Sequence, residues 1–246
     1  PWMAKQLIEH PLLLDELLDS RLIEQPFEAS AAKAAIGDLL SGHRDDPEAA
    51  MLLLNEFKLS AQFRVAYQFQ FLGLPALQAS RHLSEIAECV LRECLKIAEQ
   101  DMQARHGSVP QSAFLVLGYG SLGAGNLSFN SDLDAVFLSE SESMAISSGA
   151  QALEASRYFL RLAQKLIALL SLSTPSGSLY EVDIRLRPDG AKGLMVSSMA
   201  SFSQYQRQRA WVWEWQALVR ARSVAGDPEL SVAFEQLRLQ ILQQPR

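Results

Sequence analysis

Residues Phe114–Leu138 read FLVLGYGSLGAGNLSFNSDLDAVFL. Two apolar runs, AFLVLG at 113–118 and a second that ends at Leu138, have the composition of strands. Between them lie a glycine turn and an irregular passage rich in turn residues. Asp132 and Asp134 stand at the start of the second strand. Residues i and i+2 of a strand share a face, so both carboxylates project into one spot. Two like charges that close are unfavourable unless a cation sits between them, and a divalent metal is the natural third party. Gly120 and Ser121, just upstream, lie on a turn whose backbone amides can hold a phosphate.

Gly118, Gly120 and Gly123 match G-x-G-x-x-G. In a dinucleotide site a helix opens at the last glycine, and the ribose-binding acid follows about 20 residues later. Here AGNLSFNSD is full of turn residues, and the acids come early, as a pair. The alternative pattern is Gly-Ser, ten residues, then Asp-x-Asp. Further on, SLYEVDIRLRP at 178–188 alternates as a strand does, with Tyr180, Val182, Ile184 and Leu186 on one face. The other face carries Glu181, Asp183, Arg185 and Arg187. Asp183 supplies a third carboxylate, and the two arginines suit phosphate charge. A glycine turn, an acid pair and a third acid on a neighbouring strand form the two-metal pattern of the nucleotidyltransferase superfamily. The expected catalytic and metal-binding residues are Asp132, Asp134 and Asp183. The expected nucleotide contacts are Gly118, Gly120, Ser121, Ser131, Arg185 and Arg187.

The apolar fraction of 48% and charged fraction of 20% belong to an ordinary globular chain of 246 residues. No apolar run approaches the roughly 18 residues of a membrane span, and PWMAKQLIEH has no apolar signal core. A cytoplasmic location is expected, and a start at Pro1 suggests a fragment. The net charge of −6 argues against nucleic acid as the main partner. Cys89 and Cys94 lack redox or zinc spacing and are expected as reduced, partly buried thiols. His10, His43, His82 and His106 are scattered, without metal-ligand spacing, and are expected at the surface or in structural roles.

Residues 1–106 read as helical scaffold. Pro11 suits the first turn of LLLDELLD, and GHRDD breaks the pattern after an alanine-rich helix. Asp46-Pro47-Glu48 opens a long helix that GLP at 73–75 stops. In the next helix Leu83, Ile86, Ala87, Val90, Leu91, Cys94, Ile97 and Ala98 share one face. Glu85, Glu88, Arg92, Lys96 and Glu99 occupy the other. SESESMAISSG at 139–149 reads as a surface loop before a helix from about Ala150 to Leu170. Gly193–Ser198 is expected to hold a short strand, residues 199–226 helix and loop, and Asp227-Pro228-Glu229 the start of a last helix. Trp211, Trp213 and Trp215 are expected in core or interface packing, Arg220 and Arg222 as surface charges. The expected fold is α+β and mostly helical, with a small mixed sheet of polymerase-β-like nucleotidyltransferase type between N- and C-terminal helices. Its expected boundaries are 1–106, 107–198 and 199–246.

GYGSLGAGNLSFNSDLDAVFL, YEVDIRLRPDGAKGLMVSS and WVWEWQALVRARSVAGD resemble the glutamine synthetase adenylyltransferases, bifunctional enzymes of bacterial nitrogen control. HPLLLDELLD and the helices before the glycine turn are similar to that family too, so the likeness covers most of the chain. The resemblance implies two nucleotidyltransferase domains in a much longer protein. One removes AMP from glutamine synthetase by phosphorolysis, and the other attaches AMP from ATP to a tyrosine of the synthetase. The W-x-W-E-x-Q-A-L-V-R-A-R pattern resembles the C-terminal, adenylylating half. The family further implies Mg²⁺, two ions with ATP as substrate, and glutamine synthetase and a PII-type signalling protein as partners. Two positions depart from its pattern: Ser121 stands where lysine is usual, and Trp215 where histidine is usual. The deadenylylating half, or a nucleotide-binding regulatory module without turnover, are the alternatives.

Overall fold

The computed structural model describes residues 2–17, 25, 27–43 and 46–244. By contacts the chain divides into two compact units. One comprises 1–90, 125–131 and 172–179, and the other 91–124, 132–171 and 180–246. These units do not follow chain order, so they differ from boundaries drawn at 106 and 198. The dividing line crosses the long helix at Val90–Leu91, and two short loops join the first unit.

The first unit is helical. It contains α1 (Trp2–Glu9), a 3-10 helix (Pro11–Leu17), α2 (Ala29–Leu39), α3 (Pro47–Phe71) and the first part of α4 (Ala76–His106). The helix expected over LLLDELLD is thus a tighter 3-10 turn, and its last two residues lie outside the described residues, as do two of GHRDD. Asp46 caps α3 as expected, its Oδ1 accepting from the backbone N–H groups of Glu48 and Ala49 at 3.1 Å. Pro47 fills the first helical position, where no amide hydrogen is needed. After Phe71 the chain turns through Gly73 at φ +73°, so GLP stops the helix. The apolar face read for α4 is buried throughout, from Leu83 to Ala98. Its other face is not all solvated: Glu88 is buried too. Cys89 and Cys94 are both free and buried.

The second unit is built on a five-stranded mixed sheet. β1 (Ala113–Gly118) leads into a one-turn helix, α5 (Gly120–Ala124), and then β2 (Leu133–Glu140). α6 (Ala155–Ser171) precedes β3 (Val182–Asp183) and β4 (Val196–Ser198). α7 (Met199–Gln208), α8 (Val212–Val219), β5 (Arg222–Gly226) and α9 (Pro228–Leu242) complete it. β1 pairs antiparallel with β2 and β5, while β3 and β4 pair parallel with successive parts of β2. One sheet face carries Leu115, Leu117, Val136 and Leu138 against Phe202, Leu218, Leu230 and Phe234 of the last three helices. On the other, Phe114 stacks between Phe137 and Phe159 of α6, at ring-centroid distances of 5.9 and 5.8 Å. Each such side chain contributes roughly 1.5–3 kcal/mol by leaving water, and their sum fixes the sheet that carries the acids.

Several expectations are corrected. Residues 222–226 are expected as helix and loop, yet RSVAG forms β5 and completes the sheet beside β1. α6 starts at Ala155 rather than near Ala150, because Ala155 N–H donates to Ala145 O and Ser147 binds Leu153 through both backbone and hydroxyl. Those bonds close the preceding loop on itself. The strand over 178–188 shrinks to two residues. Past Asp183 the Arg185 N–H turns to the Asp183 carboxylate at 2.8 Å, not to a strand ladder. Trp211 and Trp213 are exposed, not packed, and Trp215 alone of the three packs on the core.

Candidate active site

The glycine turn is shaped by the acid beside it. Tyr119 N–H donates to Asp134 O at 2.8 Å. Gly120 follows at φ +51°, and a Cβ there would lie 2.2 Å from Asp134 Oδ2. Only glycine meets both demands. The turn expected here is a short helix, with Gly123 inside it, and it ends at Ala124 instead of running on as a dinucleotide fold requires. Gly118 ends β1 between Ala135 and Arg222 on its two neighbouring strands. Ser121 sits half-buried in the first turn of α5. Ser131 closes a turn ahead of the acids, its Oγ accepting from Ser128 N–H at 2.9 Å.

The acids converge through strand register. Asp134 and Asp183 are direct partners across the parallel β2–β3 pair. Asp132 precedes β2 and is exposed; Asp134 is half-buried. Burial, then the charges of Asp183 and Asp132, push the Asp134 carboxyl above its ordinary range, against the pull of Arg185. Hydrogen bonds from Arg185 hold Asp183 below its ordinary range. Arg185 Nε lies 3.0 and 2.8 Å from the two Asp183 oxygens, and its own side chain is largely exposed. The arginine thus supplies part of the positive charge that the acids demand.

Arg187 is engaged differently. Its Nη1 donates to Ile184 O at 2.6 Å, Nη2 to Ala191 O at 3.2 Å and Nε to Gly193 O at 3.3 Å. It fastens the 184–193 loop, so its guanidinium is turned to carbonyls instead of being offered to phosphates as expected. Among the described residues no three His, Cys, Asp or Glu side chains form a ready-made metal cage, and Arg185 holds the Asp183 carboxylate. The donor chemistry is nevertheless that of a Mg²⁺ site: Asp132, Asp134 and Asp183 offer only oxygens, and Asp134 and Asp183 are direct partners across β2 and β3.

Two residues escaped the sequence reading. Arg222 is expected at the surface, but its Nε and Nη2 donate to Gly123 O and Leu122 O at 2.9 and 3.1 Å. Buried Glu214 accepts from Tyr205 Oη at 2.8 Å and from Trp211 N–H at 2.6 Å, fixing the start of α8. The strand-like spacing of Arg220 and Arg222 was the one available signal for the former. Trp215 donates from Nε1 to Gln206 O at 2.9 Å.

A small mixed sheet with acids on adjacent strands and a glycine turn at its end is the α+β architecture of the nucleotidyltransferases. The family model for glutamate-ammonia ligase adenylyltransferase matches residues 1–237, and the chain belongs to that family. It is 48% identical over 245 residues to the bifunctional glutamine synthetase adenylyltransferase/adenylyl-removing enzyme of Xanthomonas axonopodis pv. citri (strain 306). It is 47% identical over 245 residues to the protein of that name from Stenotrophomonas maltophilia (strain K279a). Both matches cover 99% of this chain and 26% of the relative. With the protein of that name from Shewanella oneidensis the identity is 44% over 257 residues, covering 100% of this chain and 27% of the relative. The chain therefore spans about a quarter of the length of these relatives.

Proposed function

We propose that this chain carries an MgATP-dependent adenylyltransferase site that moves AMP from ATP to a tyrosine of glutamine synthetase. The observation that carries the reading is the direct pairing of Asp134 with Asp183 across β2 and β3, next to Asp132 and the glycine turn. The relatives' printed name supplies the substrate and contains both activities, attachment and removal. The W-x-W-E-x-Q-A-L-V-R-A-R pattern at 211–222 favours attachment.

In this reading Asp132, Asp134 and Asp183 hold Mg²⁺, which neutralises phosphate charge and polarises the reacting oxygens when bound. The turn at Gly120 and Ser121 receives the β- and γ-phosphates. Arg185, exposed and already poised on the acid cluster, offsets charge on the triphosphate. The phenol oxygen forms a bond to the α-phosphorus, the bond to the bridging oxygen breaks, and pyrophosphate leaves. The phenol's ordinary pKa is about 10, so its proton needs an acceptor, a role this reading gives to the metal-bound site or to an acid such as Asp183. A PII-type protein as regulator, the cytoplasm as location and a division of labour with the rest of the longer protein belong to the same proposal.

The test is the intact mass of glutamine synthetase after incubation with this chain, ATP and Mg²⁺. A gain of one AMP per subunit is expected. No gain, together with release of ADP from adenylylated synthetase and phosphate, would assign the chain to the removing reaction instead. MgATP binding with neither reaction would make it a regulatory module.

A further inference from the structure

We infer that Arg222 is a positioning residue for the glycine turn, clamping α5 from its C-terminal end so that Gly120 and Ser121 keep their place against Asp134. This rests on the reading above, in which that turn and that acid form the nucleotide site. A helix of five residues does not hold itself: the first turn fixes several dihedrals for one hydrogen bond. Its last carbonyls have no partners within the helix. Arg222 supplies them, with two nitrogens at 2.9 Å from Gly123 O and 3.1 Å from Leu122 O. Such bonds are charge-assisted, and a cation at this end also suits the helix dipole.

The clamp is itself anchored. Arg222 is the ladder partner of Gly118 and lies between buried Ala221 and buried Val224. The helix has no slack on this side: a Cβ on Gly123 would lie 2.1 Å from Arg220 O. At its other end Gly120 meets the Asp134 carboxylate, and Tyr119 N–H holds the Asp134 carbonyl. A shift of α5 is therefore a shift of the turn against the acid. Arg222 acts through the turn, by way of the Gly123 and Leu122 carbonyls.

Three variants of the chain test this: Arg222→Ala, Arg222→Lys and, as a control of general core loosening, Phe234→Leu. Each is followed by amide hydrogen exchange without ligand, MgATP calorimetry and thermal unfolding. In Arg222→Ala the Gly123 amide, which donates to Tyr119 O, exchanges roughly tenfold faster or more. The MgATP dissociation constant rises about tenfold. Arg222→Lys falls between, because an ammonium lacks the fork that reaches both carbonyls; it carries the comparison if the alanine variant does not fold. Phe234→Leu loses thermal stability but keeps local exchange and affinity. Unchanged exchange across 120–124 in folded Arg222 variants overturns the clamp. So does an affinity loss no greater than the control's. If the parent chain binds no MgATP, the nucleotide-site reading fails, while the exchange comparison still decides the clamp.

Discussion

Charge is taken out of water in two regions of this molecule, with opposite outcomes. In the helical unit, Lys58 on α3 is buried and donates to Ser178 O and Leu179 O at 2.7 and 2.9 Å. Beside it Asn55 donates to Thr174 Oγ1 and Gly177 O at 3.0 and 2.7 Å. At the β2–β3 edge of the other unit, carboxylates face one another and an exposed arginine is their cation. Burial opposes charge in both. Where main-chain carbonyls answer the charge, the group fastens a loop. Where acids are turned toward each other, their like charges oppose ionisation of the one in the middle. Neighbouring arginines repeat the contrast: Arg187 binds carbonyls, Arg185 a carboxylate.

Asp134→Asn is expected to have the largest effect. Transfer of AMP to the synthetase should fall by at least about a thousandfold. The unfolding temperature should hold or rise slightly, since one of three mutually repelling charges is gone. Wild-type transfer rates would sink the site assignment.

Lys58 gives the next largest effect, and it is one of stability. Burial pushes its pKa down to about 8 from 10.5. Between those values the unfolded chain binds the proton that the folded chain has lost, so stability rises with pH across that window and is flat below it. The full rise is at most about 3 kcal/mol. Urea unfolding from pH 7 to pH 10.5 should show this slope in the parent chain and lose it in Lys58→Met.

The arginine pair sharpens the contrast within one loop. Arg187→Ala should lower stability by about 1–3 kcal/mol, because carbonyls lose their donors. Arg185→Ala should leave the unfolding midpoint nearly unchanged and weaken MgATP binding about tenfold. Parallel melts and calorimetry would expose a reversal. The smallest expected effect is at a helix start: Asp46→Ala removes the cap of α3 and should cost about 1 kcal/mol, without altering nucleotide binding.

Features that depend on near neighbours along the chain are legible in the sequence. The caps at Asp46 and Asp227 hold, as do the stop at GLP, the buried stripe of α4, the first two strands and the strand at Val196–Ser198. The acid pair fits less well: β2 begins at Leu133, so Asp132 precedes the strand on which it is expected to share a face with Asp134. Local signals fail where a partner from elsewhere competes. The strand past Asp183 is ended by a side chain bonding its own backbone. The exposure of Trp211 and Trp213 follows from the turn that Glu214 fixes, which no alternation pattern encodes.

The family and the α+β class could be read from the residues themselves, because motif spacing and capping chemistry act over a few residues. Tertiary structure decided that Asp183 lies opposite Asp134, that Arg187 serves a loop, and that RSVAG is a strand whose arginine grips carbonyls 100 and 99 positions earlier. The physical reason is the same in each case. A strand this short has no periodicity to show, and a guanidinium takes whichever oxygen the fold brings within about 3 Å.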